Sequence, residues 1–338
     1  MKKTLPVLLA ILGIVLSLSV GTRSGSVVGQ EARAATKPRV AFITQIQGIP
    51  YFNSFKIGAM AAAQRFGLAY TQTGPTTVNA AEQLRIFDSL VSQKYDLISI
   101  SPLDPISINS AISTAMAKGI KVITADADAA KSKRVVYVAQ ATDQALGYVL
   151  MDSLAKQIGY SGKIGIVSGI PDTASLDTWV RYMQQRIKQK YPKITVVGGI
   201  RHTSDSAQAL EQAQQLLTAF PDIKGLVAVP STAVPGVAQA VSNAGKAGQV
   251  AVIGYGSPNT ARPFVNRGVI KYTVFWNAKE LGYLTVWAMR QVLDGKSFVA
   301  KNNVPGINHP IAYDSAKQML ILGPPVLYGK ANIDQANY

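Results

Sequence analysis

Asp126 and Asp128 form the one close acidic pair at the end of a β-branched run, Lys-Val-Ile-Thr at 121–124. Two carboxylates so near each other could serve general acid–base catalysis or hold a divalent cation. Residues two apart point the same way only while a strand continues, and no partner histidine or Glu cluster is visible. The better reading is a carboxylate that accepts hydrogen bonds from ligand hydroxyls, about two of them, and holds a polyol without reacting with it. Asp126 is favoured for that role. Asp128 reads equally well as a capping or turn aspartate.

Aromatic residues extend this reading, because a pyranose or furanose has an apolar face. Tyr51 and Phe52 fall in the loop between the first apolar run and the helix after it. Trp179 lies early in the helix that follows residues 163–168, and Trp276 follows the run 270–275. Any one of them could be core packing instead, Trp276 included.

Other chemistry finds little support. The nearest dinucleotide fingerprint is Gly254-Tyr255-Gly256-Ser257-Pro258-Asn259, where Asn259 replaces the third glycine and a proline intervenes. Neither a G-x-x-x-x-G-K-[ST] phosphate loop nor a G-x-S-x-G elbow occurs. The chain has no cysteine, which excludes disulfides, thiolate metal sites and a thiol nucleophile. Its two histidines, His202 and His309, are far apart in sequence. No catalytic residue, metal or cofactor is expected.

The elements that must position these residues repeat through the chain. Short apolar runs lie at 39–44, 68–73, 96–101 and 121–124, and again at 163–168, 194–198, 225–229 and 250–254. Mostly without alternation, they suit parallel strands buried on both faces. Within each half they start 25–31 residues apart, and each interval holds one Ala-rich amphipathic segment. That is the size of a βαβ unit. The chain therefore reads as two doubly wound parallel-sheet α/β lobes, with ligand beyond the carboxyl ends of the strands in the cleft between them.

The ends and the charge narrow the setting. Lys2 and Lys3 precede an apolar stretch at 5–20, and small residues follow up to Ala34-Ala35, as in a secretory signal peptide spanning residues 1–35. The stretch approaches the minimum span of a membrane anchor, which stays open as the alternative. No cysteine follows it, so a lipid anchor of the bacterial lipoprotein kind is not expected. The formal net charge is +16; residues 1–35 hold Lys2, Lys3, Arg23, Arg33 and Glu31, so the remainder keeps +13. The basic residues are dispersed rather than clustered with aromatics, which suits a solvated surface rather than a nucleic-acid partner.

These residues resemble the periplasmic sugar-binding family that includes ribose-binding protein, and within it the branch binding rhamnose or autoinducer-2. The resemblance rests on Tyr70-Thr-Gln-Thr-Gly-Pro75, Ser99-Ile-Ser-Pro102 with Asp104-Pro105, the run from Gly119 to Asp128, and Phe220-Pro-Asp222. Val229-Pro-Ser-Thr-Ala233, Gly254–Asn259, Phe275-Trp-Asn277, Leu281-Gly-Tyr283 and Asn332-Ile-Asp334 complete it. It covers essentially all of the chain after residue 35 and implies the type I periplasmic binding protein fold, two lobes joined by a three-segment hinge. On that pattern the lobes are 36–140 plus 277–307 and 141–276 plus 308–338, with crossings near 139–142, 275–277 and 305–311.

The resemblance implies ligand contacts at Gln45, Tyr51, Phe52 and Asp126, at Ser175, Asp177 and Trp179, at Pro230 and Thr232, and at Trp276 and Asn277. It implies a monomer that delivers a sugar-like ligand to the transmembrane subunits of an ABC permease, or else presents its closed form to a chemoreceptor or sensor kinase. Two rival readings are an effector-sensing repressor core, which shares the fold, and a small exported enzyme. The first lacks room for a DNA-binding element before residue 39, the second a nucleophile–base pair. The ribose-type pattern has Asp-Arg where this chain has Asp126-Ala127, and amide-bearing positions of the other branch fall on Ser175 and Leu176. Those departures disfavour ribose and point to a different deoxy-sugar, pentose or modified sugar.

Overall fold

The computed structural model describes residues 37–338 apart from position 172, together with Met1. Apart from Met1, the expected signal segment at 1–35 lies outside the described residues. The chain opens with strand β1 (Arg39–Ile43), helix α1 (Pro50–Phe66), β2 (Ala69–Thr73), α2 (Ala80–Ser92), β3 (Leu97–Ile100), α3 (Ile108–Ala117), β4 (Lys121–Ala125) and β5 (Tyr137–Ala139). Then come α4 (Asp143–Gln157), β6 (Gly162–Ser168), α5 (Ala174–Lys190), β7 (Ile194–His202), α6 (Ser206–Ala219), β8 (Ile223–Ala228), α7 (Ala233–Asn243), β9 (Ala251–Gly254) and α8 (Pro258–Asn266). The last part holds β10 (Thr273–Phe275), α9 (Ala278–Leu293), β11 (Lys301–Asn302), β12 (Ile311–Asp314), β13 (Met319–Ile321) and β14 (Val326–Tyr328).

Two main sheets result, with the parallel α/β build expected from the sequence. One has eight strands in the order β11-β12-β13-β5-β4-β3-β1-β2, parallel from β13 to β2. The other has four parallel strands in the order β7-β6-β8-β9. Val40, Phe42, Leu97, Ile98, Val122 and Ile123 are fully buried, as central strands covered by helices on both sides require. Among the described residues no helix is long and apolar enough to cross a membrane.

Strand pairing corrects the expected place of the third crossing. The family resemblance implies that residues 308–338 belong to the second lobe, whereas β12 and β13 form an antiparallel hairpin on the eight-stranded sheet, with Met319 beside Tyr137 and Ile321 beside Ala139. The chain leaves this sheet only after Ile321, before β14 pairs with β10 in a separate two-stranded ribbon. The strands of a hairpin have no crossover helix between them, so the βαβ rhythm that reveals the other strands is silent here.

Local signals set the helix ends that matter for the site. Pro50 opens α1, where its missing N–H costs nothing, and Gly67 closes it at φ 67°, a left-handed conformation that glycine adopts without strain. Tyr51 and Phe52 consequently stand in the first turn of α1 and not in the loop before it. Against α1 packs α9, and the contact depends on two glycines. A Cβ on Gly58 would lie 1.7 Å from the Lys279 carbonyl oxygen, and one on Gly282 would lie 2.0 Å from that of Phe55.

Candidate functional site

A cavity of about 290 Å³ opens where the carboxyl ends of both sheets' strands converge. From the eight-stranded sheet come Gln45 after β1 and Asp126 after β4, with Tyr51 and Phe52 from α1. From the four-stranded sheet come Ile170 after β6, Thr203 after β7, Pro230 after β8 and Tyr255 after β9. Ser175, Leu176 and Trp179 reach it from α5, and Phe275 and Trp276 from the segment at β10. The volume sits at the small end of ligand sites, the size of one monosaccharide rather than a chain of them.

Asp126 is the polar centre of this wall. It is a non-glycine residue at φ 69°, a conformation that aspartate tolerates better than most. Its N–H donates to the Val138 carbonyl at 3.0 Å, and its own carbonyl accepts the Tyr137 hydroxyl at 3.0 Å. So held, the side chain receives Ser101 Oγ–H on Oδ2 at 2.7 Å and the Tyr51 hydroxyl on Oδ1. Trp276 Nε1–H donates in turn to the Tyr51 oxygen at 3.1 Å. One network thus joins the ends of β3 and β4, the start of α1 and the segment after β10.

Burial pushes the Asp126 carboxyl up to about 6, with the Tyr51 and Ser101 hydroxyls pulling the other way. It is a carboxylate at neutral pH. The same burial, reinforced by the Asp126 charge, holds the Tyr51 phenol well above its usual range, so Tyr51 acts as a neutral donor.

Six buried aromatic residues line the cavity: Tyr51, Phe52, Trp179, Tyr255, Phe275 and Trp276. Trp179 meets Tyr255 with ring centroids 4.9 Å apart at 67°, and Trp276 at 6.0 Å and 77°. Trp276 stacks on Phe275 at 4.8 Å and stands edge-on to Tyr51 at 5.8 Å and 86°. Trp179 is fixed further by Asp143, whose Oδ1 accepts its indole N–H at 2.8 Å. Beside the rings stand short polar side chains, Ser175, Thr203, Ser231 and Thr232 among them.

Of the residues singled out in the sequence, Gln45, Tyr51, Phe52, Asp126, Ser175, Trp179, Pro230, Thr232 and Trp276 line this cavity. Three stand elsewhere. Asp128 faces away, where its carboxylate takes the Arg134 guanidinium (Nη2 to Oδ2, 2.7 Å) and the Thr124 hydroxyl at 2.6 Å. Arg134 also donates to the Lys317 and Gln318 carbonyls, so the pair ties the turn after β4 to the β12–β13 hairpin. Asp177 is exposed in the first turn of α5, on the far side of that helix from the buried Trp179. Asn277 caps α9, accepting the Glu280 N–H at 3.1 Å.

The structure adds Ile170, Thr203, Asp205, Tyr255 and Phe275 to the wall. Tyr255 directly follows the run 250–254, where the rule that ligands bind at strand carboxyl ends points, but Thr203 lies five residues beyond the expected run 194–198 because β7 continues to His202. Among the described residues, no three His, Cys, Asp or Glu side chains converge to hold a metal ion.

Parallel sheets whose strand ends meet around an aromatic, carboxylate-bearing cavity define a cleft-binding α/β protein. A family model, the periplasmic binding protein domain, matches residues 40–297, and the chain belongs to that family. Over 271 residues it is 27% identical to the ribose import binding protein of Escherichia coli K12, covering 80% of this chain and 90% of that one. Its fold matches an ABC transporter solute-binding protein from Clostridium phytofermentas with bound L-rhamnose, with a TM-score of 0.82, 24% identity and coverage of 89% and 98%. It also matches LsrB from Clostridium saccharobutylicum in complex with AI-2, with a TM-score of 0.79, 24% identity and coverage of 89% and 100%.

Proposed function

We propose that this protein captures a sugar or sugar-like small molecule in the cavity between its sheets and delivers it, outside the cytoplasm, to the transmembrane subunits of an ABC permease. The carrying observation is the cavity itself: monosaccharide-sized, walled by six aromatic residues, and centred on a buried carboxylate at the end of β4. Membership of the periplasmic binding protein family and the ribose import relative support the transport role.

On this proposal two lobes close around the ligand. One carries the eight-stranded sheet, residues 37–139 and 278–321, and the other carries residues 143–275 and 326–338. The chain crosses between them at 140–142, 276–277 and 322–325. Closure requires a ligand that contacts both sides at once, since only differential affinity for the closed state shifts the population. Asp126 and Tyr51 would supply one side, and Trp179, Pro230 and Thr232 the other. The binding step is reversible and involves no bond chemistry, so the protein acts as a carrier and not as an enzyme.

Thermal unfolding of residues 36–338 tests this, after unfolding and refolding to strip carried-over ligand, against pentoses, hexoses, deoxy-sugars and autoinducer-2. A ligand at about 100 times its dissociation constant stabilises by about 2.7 kcal/mol. One clear shift, abolished in Asp126→Ala, is the expected result. No shift with any sugar, aminated sugars included, would sink the proposal.

A further inference from the structure

The cavity's charge runs against that of the whole molecule. The sequence carries 34 Lys and Arg against 18 Asp and Glu. Yet among the described residues lining the cavity there is no Lys, Arg or His, and the charged side chains are Asp126 and Asp205. Asp205 is committed to capping α6, where it accepts the Gln208 N–H at 2.9 Å. Asp126 is only 8% exposed, and what its carboxylate receives is two neutral hydroxyls. Two residues further on, Asp128 is given a buried guanidinium. The fold thus neutralises the carboxylate outside the cavity and leaves the one on its wall without a cation among the described residues.

A buried carboxylate with no counter-ion is costly, and a bound cation removes that cost. The rings around it favour the same charge. Aromatic faces carry negative potential, and Tyr51, Trp179, Tyr255 and Trp276 line the same cavity as the carboxylate.

We infer that the preferred ligand is cationic, a sugar-sized molecule bearing an ammonium group that is seated against Asp126 and the surrounding aromatic rings. The inference rests on the proposal that this cavity is the binding site, and it narrows the ligand class from sugars to aminated ones. Hydroxyls of such a ligand would meet Ser175, Thr203 and Thr232, and its apolar face Leu176 and Pro230. Anionic sugars are excluded, because a second carboxylate would enter beside Asp126 with nothing to offset it.

Calorimetric titration of the refolded, ligand-free protein with matched pairs tests this without altering the protein. D-glucosamine and 6-amino-6-deoxy-D-glucose are compared with D-glucose, and D-galactosamine with D-galactose, with choline and D-glucuronate as charge controls. The expected result is at least about tenfold tighter binding of an aminated sugar than of its hydroxyl counterpart, and none of D-glucuronate. In Asp126→Asn the ratio of amine to neutral affinity should fall to about one, whatever the variant does to both. Neutral sugars binding as tightly as their amines would overturn the inference and leave the sugar proposal standing. Choline binding without any sugar would do the reverse, and silence from every ligand would overturn both.

Discussion

The carboxylate of Asp143 accepts the indole N–H of Trp179 at 2.8 Å, tying the first residue of α4 to a ring on the cavity wall. Asp143 follows directly on residues 140–142, where the chain passes from one main sheet to the other, so one of the cavity's two tryptophans is anchored at a crossing. Leaving a buried indole N–H unpaired costs about 1–3 kcal/mol. Asp143→Leu should therefore weaken binding of whatever ligand the thermal-shift panel identifies by roughly tenfold or more. Asp143→Asn, which keeps an acceptor, should restore it. Tryptophan fluorescence of the free protein distinguishes positioning from general damage, since only the Leu variant should shift it.

Asp126 should leave a mark on stability as a function of pH. Its carboxyl is raised by burial to about 6 in the folded protein, against 3.8 when free. The folded state then holds a proton that the unfolded state has released between those values. Stability contributed by this group is greatest below about pH 4, falls as pH rises towards 6, and stays low above it. The full difference is about 3 kcal/mol. Urea unfolding of the ligand-free protein from pH 4 to pH 7 should show this decline, and Asp126→Asn should be flatter by about that amount.

Asp128 should behave oppositely. Removing it strands Arg134, whose side chain is 4% exposed, without its carboxylate. Breaking a buried pair from one side costs about 3 kcal/mol or more. Asp128→Ala should lower the urea midpoint sharply yet leave ligand affinity, measured on the folded protein, within about twofold of the wild type. A large loss of affinity would show that the turn after β4 transmits strain to Asp126.

Gly282 should tolerate no side chain. A Cβ there would sit 2.0 Å from the Phe55 carbonyl oxygen, which is backbone and can yield only if α1 and α9 separate. Gly282→Ala should destabilise by about 1–3 kcal/mol, read as a lower urea midpoint. Because Tyr51 and Phe52 occupy the first turn of the displaced helix, ligand affinity should fall as well.

The sequence by itself determined the repeating elements and many of the residues at their ends. Buried parallel strands read as apolar runs such as 97–100 and 121–125, and crossover helices as amphipathic segments between them, because both patterns are written in neighbouring residues. Placing a ligand at strand carboxyl ends then singled out Asp126 with no knowledge of what faced it, whereas Pro230 came from the family resemblance. Tertiary structure alone decided which partners those residues meet. Tyr51 and Asp126 are 75 positions apart, and Tyr51 and Trp276 are 225 apart, so nothing in their local sequence records the network that joins them. Likewise, local sequence treats Asp126 and Asp128 nearly alike. A left-handed backbone turn at the first and a guanidinium brought against the second send one carboxylate into the cavity and the other out of it. The β12–β13 hairpin joined the eight-stranded sheet for the same kind of reason, since edge pairing depends on which strand lies exposed beside it and not on the hairpin's own periodicity.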